Sequence, residues 1–315
     1  MLDEIQIKKI QQDPFDFEDL ISKTLVDLSV NVERPETLIS IGSHLYKDKD
    51  YPTAVMTAGE FSCIVAPSKT KKSFLKSAIC AAYVGGKSNS HFPNIKGHRD
   101  KDYYILDIDT EQSNYYATRT FKRVNEMTGI DYKNHIPFKM RALSVNERIE
   151  LIKHLIYNSK YSDDTKLVFI DGIADLMLDV NDMEMSNIIA NYLLKWTEEK
   201  KIHICVVIHS AFGTSKATGN LGSTLIKKAE SVLMLSPTDD TKKVIKTIHQ
   251  YSRGYSFDEF HFSIKDKDAL PYKVDDFKHE FEDEEYNRST DIIPFTEPKD
   301  AFDFPDDDLD SDVPF

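Results

Sequence analysis

The chain has 315 residues, with 40 Lys+Arg against 53 Asp+Glu, a formal net charge of −13 and 40% hydrophobic residues. That length holds one large α/β domain or two small ones, with enough core to fold without disulfide or metal staples. The charge is lopsided: residues 275–315 carry 16 acids and 3 bases, so residues 1–274 balance to zero. A balanced body excludes binding to nucleic acid through an overall basic surface, and any such contact must come from local patches or oligomer geometry. Cys63, Cys80 and Cys205 stand singly inside apolar runs without metal-ligand spacing, and read as buried free thiols of a reducing compartment. No stretch approaches the length of a membrane span, and the N-terminus lacks the basic-then-apolar pattern of a signal peptide, so a cytoplasmic protein is expected.

Residues 1–35 contain an amphipathic segment, Phe17 to Leu28, with Leu20, Ile21, Leu25 and Leu28 at helical spacing. It suits packing on its own core or docking on a neighbour. Thr37 to Ile41 reads as a short strand, followed by a polar connector through Tyr51 and Pro52. The stretch Gly59 to Leu75, GEFSCIVAPSKTKKSFL, organises the rest. Its apolar, β-branched run stops at a short polar loop, and Lys72 and Ser73 then open a helix running to Val84 and ending at Gly85 and Gly86. Strand, polar loop, lysine, hydroxyl and helix are the layout of a phosphate-binding loop, in which backbone N–H groups and a helix N-terminus surround nucleotide phosphates. The spacing G-x-x-x-x-G-K-[ST] fails at both glycines, where Ala66 and Lys71 stand. Alone, the segment reads equally as a strand and helix joined by an exposed lysine-rich turn.

After a polar loop from Lys87 to Lys101, Tyr103 to Asp109 reads as a buried strand ending in acids, followed by Glu111 and a helical run to Met127. Ligands of open α/β sheets bind beyond the carboxyl ends of strands, so Glu111 faces the loop site and can activate a water. It reads alternatively as a first-turn acid favoured by the helix dipole. A strand at Ile136 to Met140 precedes a helix that Ser144 and Glu147 start with capping-box spacing, its buried face being Ile149, Ile152, Leu155 and Ile156. Leu167 to Asp171 is an apolar strand ending in an aspartate able to hold Mg²⁺. Asn181 to Lys200 is a periodic core helix, and Ile202 to Ile208 a further apolar strand ending at His209 and Ser210. His209 is either a sensor of the γ-phosphate or a hydrogen-bonded strand-end histidine. Ala211 to Leu221, with Lys216, reads as a mobile loop. Strands at Ser231 to Leu235, Lys243 to His249 and Phe257 to Ile264 finish the sheet, with Arg253 in an exposed turn, either simply solvated or reaching a neighbouring subunit's phosphate.

The ordered set APSKTKKS, ILDIDTEQS, LVFIDGIADL, VVIHS, GNLGSTLIKKAESVLML and SRGYSFDEFHFSI resembles the RecA-like ATPases. Within them it is most similar to the RepA-type hexameric replication helicases and related AAA-type ATPases of bacterial mobile elements and phages. The resemblance covers roughly residues 35–266. It implies an α/β fold with a RecA-like core, a mostly parallel central sheet flanked by helices, and ATP and Mg²⁺ as cofactors. It implies a phosphate cradle of Ala66, Pro67, Ser68, Lys69, Thr70, Lys71, Lys72 and Ser73, Mg²⁺ at Ser73 and Asp171, a catalytic Glu111, His209 as sensor and Arg253 as a finger acting in trans. The departures at Ala66 and Lys71 bear on hydrolysis rate rather than on fold.

From Asp275 onward, acids interrupted by single aromatics and prolines cannot form a core, and a disordered tail is expected. Its end, FPDDDLDSDVPF, resembles the acidic tip of bacterial single-stranded-DNA-binding proteins, in which a terminal Pro-Phe, here Pro314 and Phe315, docks on replication and repair partners. It reads otherwise as a solubilising tail. The expected organisation is an N-terminal helical segment at 1–35, an ATPase core at 36–270 and a tail at 271–315. The expected activity is that of an ATP-dependent replication or recombination protein working on single-stranded DNA as a ring or filament. A non-hydrolysing scaffold, and a recombinase or annealing protein of the same fold, are the alternatives.

Overall fold

The computed structural model describes residues 16–86, 90–210, 217–239, 241–265 and 269–275. The expected disordered tail with its Pro314–Phe315 tip, the loop residues 211–216 with Lys216, and most of the linker after Gly86 up to Ser90 lie outside the described residues.

The architecture follows from apolar strands that alternate their side chains between two helical layers. In β3 (Phe61–Ala66), Phe61, Cys63 and Val65 join one core while Ile64 and Ala66 join the other. Around it lie β5 (Tyr104–Asp109), β6 (His135–Lys139), β7 (Thr165–Asp171), β8 (His203–His209) and β9 (Ser231–Pro237). These six run parallel in the order β9-β3-β8-β7-β5-β6. The sheet continues past β9 through three antiparallel strands, β10 (Ile245–Ser252), β11 (Phe260–Lys265) and β12 (Leu270–Val274). The α/β fold with a mostly parallel sheet is therefore as expected, with an antiparallel edge of three strands.

Helix α1 (Phe17–Thr24) buries none of its residues, and its Phe17, Leu20 and Ile21 are exposed. Helices α2 (Lys72–Gly85) and α3 (Asn114–Thr128) cover one face of the sheet. Helices α4 (Val145–Tyr157), α5 (Met183–Lys200) and α6 (Gly219–Lys228) cover the other. The capping box predicted for α4 is present: Glu147 N–H donates to Ser144 Oγ, while Ser144 N–H donates to Glu147 Oε2 at 2.8 Å. All three cysteines are free and buried.

Four local expectations change. The connector through Tyr51 and Pro52 is strand β2 (Lys49–Thr57), which forms a hairpin with β1 (Thr37–Tyr46). Its two-residue turn puts Lys47 and Asp48 at φ of 49° and 61°, a turn usually announced by Asn-Gly, and neither residue signals it. The loop before Lys101 contains β4 (Ile95–Gly97), which completes a three-stranded sheet in the order β2-β1-β4. A Cβ at Gly97 would lie 2.1 Å from the Ala82 carbonyl oxygen, so only glycine lets this strand approach α2. The loop read as running to Leu221 gives way at Gly219 to α6, whose two glycines mask the helical pattern of Leu221 and Leu225. Strand β12 pairs with β11 past residue 270, where the tail was expected to begin.

Candidate nucleotide site

The parallel strands all deliver their C-terminal ends to one rim, and this positions the predicted residues. Ala66 at the end of β3 is in register with His209 at the end of β8, and Asp109 at the end of β5 with Asp171 at the end of β7. The loop after Ala66 turns through positive φ at Lys69 (60°) and Lys71 (57°) and enters α2 at Lys72. Lys71 is the N-cap of α2; its side chain makes no cap hydrogen bond, and the Phe74 amide donates to the Lys71 carbonyl at 3.0 Å. Thr70 is fully buried at the base of the loop.

Lys72, a residue 7% exposed, folds its ammonium over the loop. It donates to the carbonyls of Ala66 at 3.3 Å and Pro67 at 3.1 Å, and lies 3.0 Å from His209 Nδ1. Burial draws its pKa below the ordinary lysine value, against the pull of Asp171 and Glu111. His209 Nε2 lies 3.2 Å from Glu111 Oε1, and that hydrogen bond holds the Glu111 carboxyl below its usual range. Ser73 Oγ donates to Asp171 Oδ2 at 2.7 Å. The structure thus brings Lys72, Ser73, Glu111, Asp171 and His209 together from four separate segments.

Glu111 stands before α3 rather than in its first turn, because Ser113 is the N-cap. Asp109 builds that turn, accepting from the amides of Glu111 at 3.1 Å and Gln112 at 2.7 Å and from Gln112 Nε2 at 2.7 Å. Burial pushes the Asp109 carboxyl up to about 6 despite these donors. A Cβ at Gly172 would meet Glu111 Oε1 at 2.4 Å, so the residue after Asp171 leaves room for the glutamate.

Beneath the rim lies a buried charge network that sequence reasoning missed. Lys76, fully buried one turn beyond Lys72, reaches Asp107 Oδ1 at 2.7 Å and Asp171 Oδ2 at 3.7 Å. Asp107 Oδ2 lies 3.1 Å from His135 Nε2. Burial opposes every charge here, and it is outweighed: Lys76 and His135 hold Asp107 at about 2, while Cys80 and Asp107 push His135 up to about 10. Burial raises the Asp171 pKa, a rise that Lys76 and Ser73 oppose. Cys80, Asp107 and His135 have the chemistry of a metal site, their ligand atoms all lying within 4.8 Å of one another. Both Asp107 oxygens are already engaged, by Lys76 and His135, and the group reads as an ion network that anchors α2 to β5 and β6. Lys76 ahead of the apolar turns of α2 and Asp107 between Leu106 and Ile108 in β5 were the available signals.

Arg253 is elsewhere. It follows β10, whose Ser252 pairs with Ser231 at the start of β9, and so lies at the opposite rim. Its guanidinium donates to Glu60 Oε1 at 2.7 Å and to the Lys228 carbonyl at 2.8 Å.

No protein-family model matches the chain, and no curated protein matches it in sequence. Among solved structures, it is similar to one described as the crystal structure of the RadB recombinase, with a TM-score of 0.49 and 14% sequence identity over 70% of this chain and 94% of that one. At that level of similarity nothing about activity follows. No helix among the described residues is long and apolar enough to cross a membrane.

The donor set fits a nucleoside triphosphate with Mg²⁺. A serine hydroxyl and a carboxylate in contact are hard oxygen ligands of the kind Mg²⁺ takes. A lysine over a helix N-terminus that has no side-chain cap suits phosphate oxygens.

Proposed function

We propose that this chain is a RecA-like, ATP-hydrolysing protein of DNA replication or recombination, of helicase or loader type, assembled as a ring or filament. The observation that supports it is the convergence of Lys72, Ser73, Glu111, Asp171 and His209 at one rim of a parallel sheet. Mg²⁺, where bound, would supply charge neutralisation at the phosphates. Ser73 and Asp171 would hold it. Lys72 leaves the Ala66 and Pro67 carbonyls and donates to phosphate oxygens. Glu111 Oε1 orients the attacking water and takes its proton, and the histidine between Glu111 and Lys72 couples that carboxylate to the state of the phosphates. Arg253, at the far rim of its own subunit, can reach a phosphate only across an interface between copies, as a trans-acting finger requires. The Pro314–Phe315 tip would recruit a replication or repair partner.

Turnover assays with and without single-stranded DNA test this reading. Lys72→Ala should abolish binding of a fluorescent ATP analogue, whereas Glu111→Gln should keep binding and lose about 10²- to 10⁴-fold in turnover. Turnover unchanged in both variants would remove the catalytic assignment. A non-hydrolysing scaffold is the second reading, favoured by lysine at two positive-φ positions of the loop. Nucleotide-dependent assembly without phosphate release would select it. Strand-exchange assays separate a recombinase from a helicase.

A further inference from the structure

Helix α3 carries an exposed row of rings and cations that the nucleotide site does not use. Tyr115 and Tyr116 are 63% and 60% exposed and meet edge to face at 5.2 Å. The Arg119 guanidinium lies 5.8 Å from the Tyr115 ring centroid. Tyr115, Arg119 and Lys122 recur at i, i+4 and i+7 and so share one face of the helix. At the start of the helix, Lys139 from the end of β6 donates to Asn114 Oδ1 at 3.3 Å. With Arg141 it walls a cleft of about 250 Å³ against Ser113 and Asn114. Farther along, Arg119 and Lys122 border a second hollow of about 140 Å³.

Packing does not require this arrangement. Arg123, also on α3, turns inward over the Phe74 ring at 3.7 Å, but Arg119, Lys122, Lys139 and Arg141 all face solvent. Against these four cations α3 offers one acid, Glu126, and the nearby Glu111 is engaged by His209. On a body whose charge balances to zero, such a local excess beside two wet tyrosines is a specific feature. Cations that follow a backbone, interleaved with rings on which any base can stack, are the chemistry of single-stranded nucleic-acid binding. A helix of this length, about 22 Å at 1.5 Å per residue, offers several successive contacts. A duplex would use the cations but leave the rings idle, since its bases are already stacked.

We infer that the face of α3 from Arg141 and Lys139 to Lys122 is a docking track for single-stranded nucleic acid, with phosphates on the cations and unpaired bases on Tyr115 and Tyr116. The inference rests on the nucleic-acid part of the function proposed above and adds where the strand lies. Because α3 begins just after the Glu111 turn, a strand on this track sits beside the residue proposed to activate water.

The test is fluorescence anisotropy of the full-length protein with a labelled oligothymidylate of about twenty nucleotides and a duplex of equal length. Replacing Tyr115 and Tyr116 by alanine should weaken single-strand binding about tenfold or more, with little effect on the duplex. Replacing the four cations by glutamine should reduce the slope of log affinity against log salt by about 3. Binding of a fluorescent ATP analogue should be unchanged in both variants. If the wild-type protein binds the oligonucleotide and both variants bind it equally well, the track is wrong while the nucleic-acid reading stands. If the wild type binds none, with or without nucleotide, both fail. If polyglutamate binds as tightly as the oligonucleotide and the tyrosine variant is silent for both, the face is a plain acid-binding surface and the inference fails.

Discussion

Lys71 holds a backbone position that L-residues adopt at a cost, with φ of 57° at the N-cap of α2. Its ammonium donates to the Lys243 carbonyl at 2.6 Å, a contact on the surface. Comparing Lys71→Gly with Lys71→Ala isolates the backbone, since both lose the ammonium. The glycine variant should be the more stable by about 1 kcal/mol in denaturant titration, and equal stability would show that the loop relaxes without strain. Gly172 makes a complementary case. In Gly172→Ala the new methyl pushes against the end of the Glu111 side chain, which can swing away from His209 at little cost to the fold. Turnover should fall about 10- to 100-fold with nucleotide affinity and melting temperature nearly unchanged. A large drop in melting temperature would mean instead that the backbone, not the glutamate, gave way.

At the scale of elements, the first two turns of α2 are tied to the sheet along one face, by Ser73 to Asp171 and by Lys76 to Asp107. The His135 partner of Asp107 gives this tie a pH dependence with a definite sign. Its folded pKa, pushed up to about 10, lies above the 6.5 of a free imidazole, so the folded state favours the protonated ring. The stabilisation is complete below pH 6.5 and is lost as pH climbs through 10. His135→Asn should therefore cost about 2 kcal/mol at pH 6, and the gap to wild type should close toward pH 10. Chemical denaturation at several pH values measures it; a gap that widens with pH would show that the ring is neutral in the folded protein. Helix α1 buries none of its residues, and its cap and its Lys23–Asp19 pair are local.

For the whole molecule, the separation of Arg253 from Lys72 across the sheet has a consequence that can be measured by mixing. Arg253→Ala and Lys72→Ala should each be inactive alone. In the proposed assembly, equal mixing would create some interfaces where an intact phosphate loop meets an intact arginine, and turnover should reappear. No recovery on mixing, with assembly verified by light scattering, would place Arg253 in the structural pair with Glu60 and nowhere else.

What could be read without coordinates was whatever repeats locally. Apolar runs that end in a polar residue announced β3, β5, β7 and β8, and because parallel strands present their C-termini to one side, their tips could be assigned to a common site before the sheet was seen. The Ser144 cap and the buried face of α4 were legible for the same reason. Residues whose partners come from other elements were not. Lys76, Asp107 and His135 lie on a helix and two strands, and no spacing in the chain relates them; only the stacking of α2 against β5 and β6 makes them one network. The hairpin of β1 and β2, the strand at Ile95 and the start of α6 escaped because positive φ at Lys47 and Asp48, a close backbone approach at Gly97, and glycines inside a helix are set by neighbours in space. The sequence on its own determined the order of elements and the chemistry at each strand tip. Tertiary structure decided which tips meet, which charges are buried in pairs, and which rim Arg253 occupies, because those depend on burial and contact between segments far apart along the chain.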